Sequence, residues 1–314
     1  MLFSSKIYKF LLLIGVVSLL LFFIERIYIN TMKSVKTGAI GKINLVINHD
    51  LDVNVSVWGA STALVNFNPQ LIEDSLKFSA FNMGINGVNI DQYNGLLKEY
   101  LNYTKKSKFL IIAIDIYGGL EKREQFYELQ NWLHHVNNDN IYDCLTDIDY
   151  NTIFRARYIP FYSITLYNKH AFPLIRSAFF NTSSSQYQFS NLGFEPNNAQ
   201  MDLKAIDTNQ MVIPINQVVL KKLRSSCLLA LSKKITPIVV ITPCYKDGLN
   251  KIKNTEDFVE LVQTLENDNI NVYNYLNSPI SSNPSFFKDN THLNVIGADT
   301  FTIDIIKKLK SNFY

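Results

Sequence analysis

The chain has 314 residues, of which 47% are apolar and 18% charged, and a formal net charge of +3. That length fills one core carrying an insertion, or two modest domains. So small and dispersed a charge gives no electrostatic basis for nucleic-acid binding, and no run of like charges reads as a binding tail.

The first element is apolar. Residues 10–24, FLLLIGVVSLLLFFI, carry no charge. At about 1.5 Å per residue this run is shorter than a hydrocarbon layer of about 30 Å. Ile7, Tyr8 and a snorkelling Lys9 on one side, with Ile27 to Ile29 on the other, complete a span. Lys6 and Lys9 precede the run, which favours a cytoplasmic N-terminus. The residues that follow, ERIYINTM, hold no small-x-small cleavage pattern. An uncleaved signal anchor is therefore expected in preference to a removed signal peptide, making a single-pass membrane protein whose main domain faces the extracytoplasmic side. The expected organisation is a stub and anchor over 1–30, a connector over 31–50, and a main domain over 51–314.

Strands and helices then alternate. Residues 52–58 read as a strand. Residues 68–77 read as a helix, with Asn68 as its cap and Pro69 at its first position. A second short strand is expected over 78–85, ending in a Gly/Asn-rich turn. Ile90, Tyr93, Leu96, Leu97, Tyr100 and Leu101 have the three-and-four spacing of a helix over 88–106. KFLIIAI (108–114) is apolar without alternation, as in a strand covered on both faces.

The alternation breaks over 118–212, which is read as an insertion. It holds the aromatic block 154–180, whose role is left between packing face, substrate platform and membrane-facing surface. Alternation resumes with a helix over 216–234 and an apolar strand over 236–243. A helix over 255–268, opened by Thr255 with acidic residues in its first turn, follows. A last strand over 270–276 and a closing helix over 294–312 complete the pattern. Five strands with intervening helices predict a three-layer α/β/α sandwich around a mostly parallel five-stranded sheet. Such sheets place ligands at the carboxyl ends of their strands.

Cys144, Cys227 and Cys244 are scattered and odd in number, which provides neither a disulfide framework nor metal-type spacing. One pair has the chemistry to bridge in an oxidising compartment, and small buried side chains are the simpler expectation. His134 and His135 are adjacent, diverge if helical, and have no carboxylate or cysteine at a zinc-site interval. There is no Walker loop, and Gly84-Ile85-Asn86-Gly87 lacks dinucleotide-site spacing. No cofactor or metal is expected.

Two places invite chemistry. Ser61 lies just past the first strand in WGAST, where a hydroxyl serves either as a turn cap or as a nucleophile awaiting a base. His292 follows the last strand in KDNTHLN, with Asp289 three residues earlier. That spacing lets a carboxylate fix one ring nitrogen and free the other as a base, although a solvated loop with a capping Asp has the same pattern.

VWGASTALVNFNP (57–69), AFNMGINGVN (80–89) and DNTHLNVIGA (289–298) together resemble the three main blocks of the SGNH/GDSL hydrolase superfamily. The branch resembled is the membrane-anchored one, which includes proteins similar to the D protein of lipoteichoic-acid D-alanylation and to glycan O-acetylation enzymes. The resemblance covers roughly 52–115 and 236–312. It implies Ser61 as nucleophile and Asp289 and His292 as its relay. It also implies oxyanion donors from the Ser61 N–H and from a second-block glycine, best matched by Gly87, with Gly84 the other candidate. Members often have Asp before the serine, where this chain has Ala60, a position outside the proton relay. The family's third block supplies an asparagine. Here IIAIDIYGG offers Asp115, which would repel an oxyanion, so Asp115 is expected to orient a turn and Asn86 to substitute as donor.

The activity so implied is that of a serine esterase or O-acyltransferase acting on an acylated cell-surface glycan or lipid-linked envelope ester, with an integral-membrane acyl-transfer protein as a partner. The alternative is an SGNH-like accessory protein, catalytically impaired, that binds an envelope polysaccharide or a membrane partner.

Overall fold

The computed structural model describes residues 5–166, 186–202 and 209–311. In its first part the chain forms α1 (Ser5–Ser34), α2 (Gly38–Ile47), β1 (Val55–Trp58), α3 (Ser61–Asn66), α4 (Pro69–Leu76), β2 (Ala80–Asn82), α5 (Ile90–Tyr103) and β3 (Phe109–Ile114). Then come α6 (Asp139–Thr146), α7 (Tyr150–Tyr158), α8 (Tyr162–Leu166) and α9 (Gln217–Ser232). The chain closes with β4 (Thr236–Ile241), α10 (Thr255–Gln263), β5 (Asn271–Asn274) and α11 (Val295–Ser311). Two compact units emerge, Met1–Asn48 with Glu128–Gln188, and His49–Tyr127 with Phe189–Tyr314.

The second unit is a three-layer α/β/α sandwich. Its five strands are all parallel, in the order β2-β1-β3-β4-β5. The chain first steps from β1 outward to β2, then crosses back over β1 to β3 and continues to β5. Right-handed crossovers therefore put helices before and after that reversal on opposite faces. Packing agrees, with α11 against α3 and α4 on one side, and α5 against α9 on the other. The reversal makes the carboxyl edge between β1 and β3 the topological switch point, where such sheets open a crevice.

Local chemistry accounts for the elements. β3 is buried at every position, as its unbroken apolar run requires when helices cover both faces. Asn68 accepts from the Gln70 N–H and Pro69 takes the first helical position, so α4 begins where cap and proline place it. It ends at Lys77 in the left-handed region. Asn89 caps α5, whose stripe of Tyr93, Leu96, Leu97, Tyr100 and Leu101 is buried.

Several elements depart from the sequence reading. The first strand is Val55–Trp58 rather than 52–58, because Asp52 instead accepts from Thr104 Oγ1 and the amides of Lys105 and Lys106. Residues 31–50, read as a connector, hold the last turn of α1 and then α2. Buried Asn44 donates to the Met32 and Val35 carbonyls and folds α2 back on the end of α1. α3, too short to show a helical period, was not foreseen. α10 opens at Thr255 as read, but it ends at Gln263 and the rest of the expected span, Thr264–Asp268, tightens into a 3-10 turn.

In the first unit, α1 is a single helix of 30 residues. At about 1.5 Å per residue it is long enough to cross a hydrocarbon layer of about 30 Å. Its apolar stretch from Phe10 to Ile24 is largely exposed, whereas Tyr28, Thr31 and Met32 are buried, Tyr28 and Met32 packing with Ile164. Residues 167–180 of the aromatic block, with Lys169 and His170, lie outside the described residues.

Candidate active site

β1 delivers the chain to the switch point and turns it sharply. Gly59 has φ +152°, and a Cβ there would lie 2.6 Å from the Ala113 carbonyl oxygen and 2.8 Å from the Ala63 Cβ, so only glycine fits between β3 and α3. Ser61 then opens α3. The Ala60 carbonyl accepts from Ala63 and Leu64, while its methyl side chain provides no cap. The first amides of a helix have no intrahelical acceptor, so the Ser61 N–H is suited to a ligand oxygen.

The segment after β2 runs alongside this turn. Met83 N–H donates to Val57 and Ile85 N–H to Gly59. Gly84 presses on α3, where a Cβ would sit 2.3 Å from the Leu64 nitrogen. Asn82 is fully buried, donates to the Ala63 and Phe67 carbonyls, and accepts from Gly84 N–H. One amide side chain thus fixes both the serine helix and the turn that faces it.

His292 arrives from the other end of the chain. Lys288 N–H donates to the His292 carbonyl, and an antiparallel bridge joins Phe287 to Leu293, closing a tight loop. Tyr245 N–H, beyond β4, donates to Asn290 and ties the loop to the sheet edge. Asn66, at the far end of α3, donates to the Thr291 carbonyl (3.1 Å) and accepts from Leu293 N–H (2.9 Å). The residues on either side of His292 are therefore held by the helix that carries Ser61.

The result is a continuous hydrogen-bonded run. His292 Nε2 lies 2.7 Å from Ser61 Oγ, and His292 Nδ1 lies 2.8 and 2.9 Å from the two Asp289 oxygens. With Nδ1–H donating to the carboxylate, Nε2 is left to accept the serine O–H. Burial pushes the Asp289 carboxyl up. The His292 ring and the backbone N–H groups of His292 and Thr291 outweigh that and hold it at about 2. The cluster is open to solvent, with 27% of the His292 side chain and 46% of Asp289 exposed. A cavity of about 300 Å³ lies over it, walled by Ser61, Leu64, Asn86, Glu195, Lys288 and His292 among others.

The second-block residues divide. Asn86 is exposed on the cavity wall and donates to Tyr127 Oη at 3.2 Å. Gly87 takes φ +73°, its carbonyl accepting from Arg123 and the Tyr127 ring filling the space of a Cβ. Gly84, the other glycine considered, has its N–H bound to Asn82. Asp115 accepts from the Tyr117 and Gly118 amides and orients its own turn. Asn66 and Asn82 escaped sequence reading, since a buried asparagine that clamps a distant backbone leaves no local pattern.

All three cysteines are buried and none is in a disulfide. Burial pushes the Cys227 and Cys244 thiols up to about 12, which removes them as nucleophiles at neutral pH. In the first unit, His134 and His135 do not diverge. They lie in a 3-10 turn, and both Nε2 atoms converge on Asn44 Oδ1, at 3.0 and 2.7 Å. The tighter turn and the shared buried acceptor overrode the divergence expected of helical neighbours.

A hydrogen-bonded Ser61–His292 pair therefore stands at the carboxyl edge of a parallel α/β/α sandwich. No protein-family model matches this sequence, and no curated protein matches it.

Proposed function

We propose that the chain is a membrane-anchored serine esterase or O-acyltransferase acting on an acylated cell-surface glycan or related envelope ester outside the cytoplasmic membrane. The observation that carries this reading is the hydrogen-bonded run from Ser61 through His292 to Asp289. In the proposed cycle His292 Nε2 takes the Ser61 proton as Oγ attacks the ester carbonyl. The Ser61 N–H, with Gly87 N–H or the Asn86 amide, stabilises the oxyanion. The tetrahedral species collapses to acyl-Ser61, and His292 returns the proton to the leaving alcohol. His292 then deprotonates water or a sugar hydroxyl, which attacks the acyl-serine and restores the free hydroxyl. The three sequence blocks that resemble SGNH hydrolases meet at this site and support the same assignment. Asp289 orients His292 in this scheme, and α1 anchors the chain in a single pass.

The test is covalent. The full chain, purified in detergent, is expected to gain the mass of a serine-directed phosphonate on Ser61, and Ser61→Ala to prevent it. Failure of the folded wild type to label rejects the enzyme. The accessory reading then takes its place, favoured by one observation: where the family has a third-block asparagine donor, Asp115 is committed to its own turn.

A further inference from the structure

α7 carries an aromatic face that is exposed among the described residues. Tyr150, Phe154 and Tyr158 recur every four residues on one side of the helix and are 58%, 40% and 57% exposed, while Ile153 and Ala156 opposite are buried. Their rings form a ladder, with centroids 5.6 Å apart from Tyr150 to Phe154 and 4.8 Å from Phe154 to Tyr158. Ile159, also exposed, extends it. Three large rings held in register and left in contact with solvent invite a partner.

The neighbouring helix indicates which. The C-terminal end of α7 and the two residues after it, Ala156 through Pro160, line one cavity of about 130 Å³ together with Phe22, Glu25, Arg26 and Ile29 of α1. Along α1 the exposed apolar residues stop at Ile24, charge begins at Glu25 and Arg26, and Tyr28 is already buried against protein. If α1 crosses a bilayer, its hydrocarbon ends at this level, and the α7 rings begin there. Tyrosine joins an apolar ring to a hydroxyl and concentrates where acyl chains meet headgroups. Arg26, which shares that cavity with Tyr158 and lies 4.9 Å over the Phe22 ring, and Arg155, next to Phe154 in the chain, are both exposed and suit lipid phosphates. Arg157 is committed elsewhere, to Asp139 at 2.8 Å and the Tyr142 ring at 4.3 Å.

We propose that the Tyr150–Phe154–Tyr158 face of α7 lies in the headgroup layer of the bilayer that α1 crosses, giving the first unit a second contact with the membrane. The inference rests on reading α1 as a membrane anchor, and the experiment separates the two.

Nitroxides are placed on Leu19→Cys and, separately, Phe154→Cys of the full chain, the three native cysteines being buried. The chain is reconstituted into phosphatidylcholine–phosphatidylglycerol bilayers, and oxygen against nickel-chelate accessibility is read against a depth scale from spin-labelled lipids. The expected result is a Leu19 probe in hydrocarbon and a Phe154 probe at headgroup depth. That depth is unchanged on tenfold dilution of protein in lipid and is lost when Tyr150→Ser and Tyr158→Ser are added. A Phe154 probe in bulk water with Leu19 in hydrocarbon overturns the inference and spares the anchor. Shielding lost on dilution means a second copy occupies the face, and shielding seen only in native membranes means another protein does. Either result overturns the inference. A Leu19 probe in water overturns the anchor and the inference with it.

Discussion

Asn66 supplies the sharpest test of how this site is held. Its side chain is fully buried and makes two bonds to the backbone flanking His292. Asn66→Ala strands the buried Leu293 N–H, whose cost is about 1–3 kcal/mol, and the Thr291 carbonyl, which water reaches in part. A loss of about 2–4 kcal/mol is expected. Against a folding free energy of about 5–15 kcal/mol the chain stays folded. The imidazole is then no longer fixed to the helix of its serine, and misplacement of about 1 Å can cost about 100-fold in rate. The phosphonate-labelling rate constant is therefore expected to fall about 10- to 100-fold. Stability is read from the denaturant midpoint of the full chain in mild detergent, using Trp58 emission in a Trp132→Phe background. Repeating Asn66→Ala with His292→Ala present should cost the same stability and no further reactivity. A midpoint change worth less than about 0.5 kcal/mol, with labelling unaltered, refutes the clamp, since that is the scatter of surface substitutions.

Three further outcomes follow from the charges. Asp289→Asn is expected to slow acylation by about 100- to 10,000-fold by disturbing the His292 tautomer, and an unchanged rate constant removes Asp289 from the relay. Because the native carboxyl is held at about 2, below its ordinary 3.8, its stabilisation is complete above pH 3.8 and disappears as pH falls through 2. With 46% of the side chain exposed, solvent screening limits that contribution to about 1 kcal/mol. His134 and His135 act in the opposite range. Burial, then the positive charge of Lys33, pushes His135 down from 6.5 to about 3, and burial pushes His134 well down also. The unfolded chain takes up these protons first, so their stabilisation is complete above pH 6.5 and is lost as pH falls from 6.5 towards 3. Trp132 emission in a Trp58→Phe chain should report that transition, and His135→Gln should move it to lower pH. A signal flat from pH 7 to 4 contradicts the assignment.

Much of the sandwich could be read from short stretches. The apolar run at β3, the Asn68-Pro69 start of α4 and the buried stripe of α5 each depend on residues within a turn or two of one another, and each formed where its pattern lay. Ser61, Asp289 and His292 were nameable for the same reason, as a hydroxyl after a strand and an acid three residues before a histidine. Their meeting was not nameable from those patterns. Ser61 and His292 are 231 positions apart and come together only because parallel crossovers line up the strand ends, and Asn66 ties the late loop to the early helix. Asn82 and the convergence of His134 and His135 on Asn44 belong to the same class. Local backbone preference is written in neighbouring residues, so the sequence alone determined most strands and helices of the sandwich and named the candidate side chains, but not α2 or α3. Bond geometry between distant side chains depends on topology and packing, so only the tertiary structure decided that an imidazole reaches this serine and which buried amides keep it there.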